Sequence, residues 1–189
     1  TPPRSAEPAS TRGAGVVLPV WRRRRERRAR KLAELRERLE RARALENVAP
    51  EEYGFDLDAA ARMYRVTSFL YRRYFRTECH GIDRLPEGRV MLVANHGSHA
   101  LAFDGANILT ACLLDAEPPR LLHAMADHRL MQLPILGRSA RRLGAVDGSR
   151  DTCIRMLREG AAVLTFPEGT RAHDRRFRDR YRLAPFGHG

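Results

Sequence analysis

Two short apolar runs, each followed at once by a polar loop, constrain the fold of this chain most strongly. Val90–Ala94 leads into Asn95–His99, and Ala161–Leu164 leads towards Phe166–Arg171. A short apolar run bounded by polar sequence predicts a buried strand. In open α/β sheets, ligands bind in the loops that follow the carboxyl ends of strands. We therefore expect these two polar loops to carry the functional residues.

The rest of the chain alternates helical and strand patterns. Strands alternating with helices predict an α/β domain with a largely parallel sheet flanked by helices, preceded here by a basic helical extension. We predict helices near 21–47, 56–75, 104–114, 128–143 and 152–158, and strands near 77–80, 90–94, 121–125, 144–146 and 163–166.

The charge divides the chain. Of the net charge of +12, the first fifty residues carry fourteen basic against six acidic side chains, a net of +8. Residues 1–20, rich in Pro, Ser, Gly and Ala, predict a disordered tail. Residues 21–48 form a basic charged helix, and residues 49–189 form the α/β domain. A basic segment attached to a milder domain indicates an anionic partner.

The basic helix has three open interpretations. Its narrow apolar seam is typical of a solvated helix or a short coiled coil. Trp21 and the Arg22–Arg25 cluster suit docking on an anionic membrane surface. A run of arginines also binds nucleic acid, although no nucleic-acid fold accompanies this one. The next helix, rich in aromatic residues and arginine, fits either a bilayer interface or packing on its own domain. The seam consists of Leu32, Leu35, Leu39, Ala42 and Leu45.

Cysteine and histidine usage argues against a metal site. The cysteines are odd in number and lack metal-ligand spacing, which predicts buried free thiols in a reducing compartment: Cys79, Cys112 and Cys153. His123 and His128 lack further ligand-type neighbours, so we predict no metal and no cofactor. The sequence has no apolar run of the roughly 18–20 residues that cross a bilayer.

The order of these features resembles the glycerolipid (lysophospholipid) acyltransferase family. A strand is followed by His and Asp104, and a later strand is followed by Glu-Gly-Thr-Arg. The resemblance covers about residues 50–189. It implies transfer of a fatty acyl group from acyl-CoA or acyl carrier protein to a glycerolipid hydroxyl, without a covalent enzyme intermediate. It also implies a histidine base that a carboxylate orients.

Which histidine is the base stays open. The family's usual spacing is Asn-His, four residues, then Asp, but the position five residues after His96 is Leu101. Pairing His96 with Asp104 keeps the preceding Asn95 and resembles a long-loop branch of the family. Pairing His99 with Asp104 restores the spacing and loses the asparagine. We favour His96, with His99 as the alternative base.

Two further blocks of the resemblance imply acceptor-binding residues. Gly144 with Arg150 six positions on resembles the second block, although Asp147 replaces its usual aromatic residue. The third block is a closer match. Its Glu168 and Arg171 are implied to orient the acceptor head group, and Gly169 lets the backbone approach that group. The block-three residues implied to bind the acceptor are Glu168, Gly169, Thr170 and Arg171.

The acceptor and the setting follow from the same resemblance. Glu-Gly-Thr-Arg fits a phosphate-bearing acceptor such as lysophosphatidic acid, whereas the long-loop branch leaves diacylglycerol open. The fourth block is expected beyond Gly189, so we expect the domain to be incomplete at its C-terminal end. We expect a peripheral protein at the cytoplasmic face of a membrane, held on anionic lipid by its basic helices, with no nucleic-acid partner. The alternatives are a non-catalytic membrane-surface lipid-binding module and nucleic-acid binding through the Arg-rich helix.

Overall fold

A computed structural model describes residues 20–95 and 103–168. The helices are α1 (Val20–Ala44), α2 (Leu57–Phe69), α3 (Phe103–Leu114), α4 (His128–Gln132), α5 (Leu136–Arg142) and α6 (Arg150–Arg158). The strands are β1 (Val90–Val93), β2 (Leu122–Ala126), β3 (Val146–Asp147) and β4 (Ala162–Thr165). Short 3₁₀ turns lie at Pro50–Tyr53 and Ile82–Arg84, and a π-helical turn, Leu70–Tyr74, continues α2.

The four strands form one parallel sheet in the order β1-β4-β2-β3. Val90 is paired with Ala162, and Leu122 pairs with the same residue from the other side. Because β4 is buried between two neighbours, its apolar residues show no alternation, as expected of a central parallel strand. The predicted α/β fold, with a parallel sheet flanked by helices and preceded by a basic helix, is confirmed.

The second half of α1 packs on the domain. Three residues of its apolar seam, Leu35, Leu39 and Ala42, are buried against α2 and α3. Leu45, which the seam also included, is half exposed. Burying a leucine side chain stabilises a fold by about 1.5–3 kcal/mol. The C-terminal part of the basic helix is therefore joined to the α/β domain by an apolar core.

A second apolar cluster lies between the sheet and α3. It includes Cys112 of α3, Leu122 of β2, and Ala162 and Leu164 of β4, all almost fully buried. Burial raises the pKa of the Cys112 thiol to about 12, with a smaller contribution from Cys79. A thiol in this state is protonated at neutral pH. The prediction of buried free thiols holds for Cys112, whereas Cys79 is exposed and Cys153 is intermediate.

Two predicted elements differ from the structure. Residues 77–80 form no strand, because the chain leaves the π-helical turn at Arg76 with a positive φ of 51° and reaches β1 through irregular backbone. The single helix predicted at 128–143 is two helices, α4 and α5, broken at Leu133–Ile135. Pro134 explains the break, since proline disfavours helical backbone at the residue before it and has no N–H to donate.

Candidate active site

The carboxyl ends of all four strands meet at one edge of the sheet, because the strands are parallel. β1 leads towards Asn95, β4 leads to Phe166–Glu168, β2 leads to His128 at the start of α4, and β3 leads to Arg150 at the start of α6. Asp104, Arg150 and Glu168 therefore follow strands at this carboxyl edge, whereas Gly144 precedes β3. Sheets of this kind bind ligands there.

Asp104 lies beside the third block. It is the second residue of α3, and its Oδ1 accepts a hydrogen bond from the Gly105 amide at 2.8 Å. A Cβ placed on Gly105 would lie 3.5 Å from the ring of Phe166, so the helix start rests on the residue that opens the third block. Two motifs more than sixty residues apart in the chain are thus in contact.

Side-chain hydrogen bonds fix α3 along its length. The hydroxyl groups of Thr110 and Thr67 lie 2.9 Å apart, which ties α3 to α2. At the far end, the Tyr71 hydroxyl donates to Asp115 at 2.6 Å, and Arg72 donates to the same carboxylate at 2.7 Å. Burial, together with the Asp115 carboxylate, raises the pKa of Tyr71, so the phenol remains a donor. These contacts hold the helix that carries Asp104 in one position.

The second block forms a tight turn and a capped helix. Gly144 has a φ of +93°, which favours glycine, and it packs beside the ring of Phe55. The Ser149 hydroxyl accepts from the Thr152 amide at 3.2 Å and so caps α6. Arg150 is the first residue of that helix. Since neighbouring strands lie about 4.8 Å apart, Arg150 follows a strand about 10 Å from the one that leads to Glu168.

The unusual residues of the second block have a structural reason. A Cβ on Gly148 would lie only 2.7 Å from the Ala126 carbonyl oxygen, to which the Gly148 amide donates at 2.8 Å. Only glycine allows the chain to pass β2 this closely. Asp147 lies beside the His128 ring, and its Oδ1 is 2.9 Å from His128 Nδ1. The carboxylate that replaces the usual aromatic residue therefore joins β3 to the first residue of α4.

A buried network lies behind the second block. His123 Nε2 lies 3.0 Å from Glu46 Oε2, and both side chains are essentially inaccessible to solvent. His123 Nδ1 lies 3.1 Å from the Gly144 carbonyl oxygen, which can only accept, so Nδ1 carries a proton. The other oxygen of Glu46 accepts from the Ala162 amide at 3.3 Å. One carboxylate therefore joins the end of α1 to β2, β4 and the Gly144 turn.

This network was not predicted from the sequence. His123 was considered only as a metal ligand, and its partner lies seventy-seven positions earlier in the chain. The signal available was a histidine inside an apolar strand, which must find a partner when it is buried. Among the described residues, no group of three His, Cys, Asp or Glu side chains could hold a metal ion.

The structure describes part of the predicted site. Asp104 and Glu168 follow adjacent strands at the carboxyl edge, and Gly144 and Arg150 flank β3. The residues that lie outside the described ranges are both candidate bases, His96 and His99, and the remaining acceptor residues Gly169, Thr170 and Arg171. Their roles stay predictions. Of the helices within the described ranges, none combines the length and apolarity that crossing a bilayer requires.

Residues 76–189 match the Acyltransferase protein family. Among curated proteins, an uncharacterised protein of Mycobacterium tuberculosis is 34% identical over 152 residues, which cover 79% of this chain and 42% of that protein. An uncharacterised protein of Mycobacterium leprae is 34% identical over 142 residues, which cover 74% of this chain and 38% of that protein.

A vertebrate protein is also similar. The mouse protein named "DGAT1/2-independent enzyme synthesizing storage lipids" is 26% identical over 130 residues, which cover 66% of this chain and 37% of that enzyme. The chain thus spans about two fifths of the length of the curated relatives it matches. No solved structure matches it.

Proposed function

Because this chain belongs to the acyltransferase family, we propose that it transfers a fatty acyl group from acyl-CoA or acyl carrier protein to a glycerolipid hydroxyl. The observation that carries the proposal is the close approach of Gly105 to Phe166, which puts the residue after Asp104 beside the first residue of the third block. In the sequence, His96 and His99 precede Asp104 by eight and five positions.

The proposed reaction moves one proton and exchanges one bond. His96, or His99 in the alternative register, takes the proton of the acceptor hydroxyl while Asp104 orients the imidazole and favours its charged form. The acceptor oxygen attacks the thioester carbonyl carbon, and the carbon–sulfur bond breaks. The departing sulfur takes the proton from the imidazolium. The products are a new ester and the free thiol of the donor.

The acceptor is proposed to bind across the carboxyl ends of β4 and β3, which lie on either side of β2. Arg150 and Arg171 supply guanidinium groups, which suit a phosphate, and Glu168 supplies an acceptor for a hydroxyl. Lysophosphatidic acid fits this set of charges. Diacylglycerol remains the alternative acceptor, and the storage-lipid enzyme of the mouse favours testing it. We place the protein at the cytoplasmic face of a membrane as a peripheral protein.

Release of free thiol from long-chain acyl-CoA, or from acyl carrier protein, tests the reaction when lysophosphatidic acid or diacylglycerol is present or absent. We expect acceptor-dependent release that falls by about 10²–10⁴-fold in either His96→Ala or His99→Ala, but not in both. Thiol release should also fall in Asp104→Asn, whichever histidine is the base. His80→Ala is the matched control, because that side chain is 88% exposed. Full activity in both histidine variants would refute the mechanism, and folded protein that releases no thiol from either donor would refute the function.

A further inference from the structure

Four apolar side chains around the junction of α4 and α5 are exposed to solvent. Ile135 is 79% exposed and Leu136 is 56% exposed, while Leu133 and Leu130 are 46% and 39% exposed. We call these four residues the α4–α5 tip. Single exposed apolar residues are ordinary on a protein surface, but a contiguous group of them marks an interaction site.

The tip is a fixed structure. A Cβ on Gly137 would overlap the carbonyl oxygen of Met131, so α5 begins directly against the backbone of α4. The Gly137 amide donates to the Leu133 carbonyl at 2.9 Å, and Met131 points inward and is almost fully buried. With Met131 anchored in the core, the apolar side chains of the tip stay on the outside.

The charge around the tip is mainly positive, although Asp127 caps α4 by accepting from the Arg129 amide at 2.8 Å. Arg129 and Arg138 flank it, both exposed, and neither forms an ion pair within residues 20–95 and 103–168. The segment from 128 to 143 contains no Asp or Glu. Apolar side chains ringed by arginine complement a surface that is apolar inside and anionic outside, which is the chemistry of an anionic bilayer.

The tip also lies at the functional edge of the molecule. α4 begins two residues after β2 ends, and the His128–Asp147 contact fixes its first residue to the end of β3.

We propose that the α4–α5 tip docks on an anionic bilayer and turns the carboxyl edge of the sheet towards it. This inference rests on the proposed function only in one respect: docking would bring a membrane-resident acceptor to the site. It assigns docking to a surface other than the basic helices predicted from the sequence.

A tryptophan placed in the tip tests the docking directly. The chain has one tryptophan, Trp21, so Trp21→Phe with Ile135→Trp gives a single reporter. With vesicles of equal parts phosphatidylcholine and phosphatidylglycerol, we expect a blue shift of its emission and quenching by brominated lipid. The matched control is Trp21→Phe with Leu45→Trp, an exposed position just after α1, which should show neither. Binding to vesicles without a blue shift at position 135 would overturn the proposal.

Vesicle affinity supplies a second test. We expect Ile135→Ser with Leu136→Ser to weaken binding about tenfold or more, because their insertion is lost. Leu45→Ser with Met91→Ser removes exposed apolar side chains elsewhere and should leave binding unchanged. Arg129→Gln and Arg138→Gln should each weaken binding about fivefold on the anionic vesicles and not on pure phosphatidylcholine. If the tip double variant and the control double variant weaken binding equally, the proposal is overturned. It is also overturned if the protein is a dimer that the tip double variant dissociates while vesicle affinity stays unchanged.

Acyl transfer to a short-chain acceptor dissolved below its micelle-forming concentration separates this proposal from the proposed function. The tip variants should keep that activity while losing vesicle binding. If the unmodified protein binds vesicles but shows no transfer to the soluble acceptor, the proposed reaction is refuted and the proposed docking surface is not.

Discussion

His123 and His128 belong to the same strand-to-helix segment, and each lies about 3 Å from a carboxylate oxygen. Their surroundings differ. The His123–Glu46 pair is enclosed by the core, with side-chain exposures of 0% and 1%, whereas the His128 side chain is 70% exposed and Asp147 is 33% exposed. Distance alone would make the two contacts equivalent. Burial decides which one the fold depends on, because a buried group that loses its partner has no water to replace it.

The buried pair also connects more elements of the fold than the exposed pair. Glu46 and His123 together satisfy the Gly144 carbonyl and the Ala162 amide. The pair therefore stabilises α1, β2, β4 and the second block at once. His128 and Asp147 connect only the start of α4 to the end of β3. The first pair is structural support behind the candidate site, and the second is a contact on its rim.

The largest effect we predict follows truncation of the buried pair. His123→Ala leaves the Glu46 carboxylate buried without its partner and should lower the free energy of unfolding by about 3–5 kcal/mol. Glu46→Gln is the matched variant, since its amide can donate to His123 Nε2 and its oxygen can still accept from Ala162. We expect its loss to be much smaller.

Urea unfolding followed by circular dichroism measures this difference. Labelling of the Cys112 thiol supplies a second readout, because that thiol is buried and has a pKa of about 12. Burial keeps that thiol protonated, so it reacts slowly while the fold is intact. Faster labelling in His123→Ala than in Glu46→Gln is expected. Equal stabilities of the two variants would show that the carboxylate charge is not compensated by His123.

A smaller effect is expected at the exposed pair. Asp147→Ala and His128→Ala should each change the free energy of unfolding by less than about 1 kcal/mol, because solvent screens both charges. High salt should reduce the difference further. If either variant loses as much stability as His123→Ala, the comparison between the two histidines fails. If the variants instead reduce vesicle binding by the α4–α5 tip, the contact positions α4 rather than stabilising the fold.

The sequence was informative where local patterns decide the structure. The apolar runs at β1 and β4 predicted buried strands of a largely parallel sheet, and the three- and four-residue spacing in α1 predicted an apolar seam that includes Leu35 and Leu39. Asp104 was predicted near the start of its helix, and it is the second residue of α3. These features depend on side chains within a few residues of one another.

The sequence was uninformative where distant residues meet. Nothing in the segment around Glu46 distinguishes it from the glutamates of α1 until β2 brings His123 to it. The segment from 77 to 80 alternates weakly and was predicted as a strand, but none of the strands in the described ranges pairs with it. The contact of Gly105 with Phe166 likewise depends on the order of β1 and β4 in the sheet.

The smallest effect we predict concerns a third carboxylate, Asp56, which shares features with both histidine pairs. It is a surface group, but it caps α2 by accepting from the Ala59 amide at 2.9 Å and it also binds Arg142 at 2.6 Å. The Ala59 hydrogen bond, followed by Arg142, lowers the pKa of Asp56. A lowered pKa contributes stability above the ordinary aspartate range, and that stability is lost as the pH falls through the folded pKa.

Arg142→Ala should therefore raise the pKa of Asp56 only part of the way to 3.8, because the larger cause, the Ala59 hydrogen bond, remains. Titration of the Asp56 carboxyl carbon by NMR between pH 2 and 6 measures the change, with Arg138→Ala as a control that has no contact with Asp56. Stability at neutral pH should hardly change, since Arg142 is exposed. A pKa that returns fully to 3.8 would mean that the arginine, and not the helix cap, holds the charge. An exposed ion pair at 2.6 Å would then control a pKa in spite of its solvent exposure. The inference that the exposed His128–Asp147 contact matters less than the buried His123–Glu46 contact would need the same NMR titration.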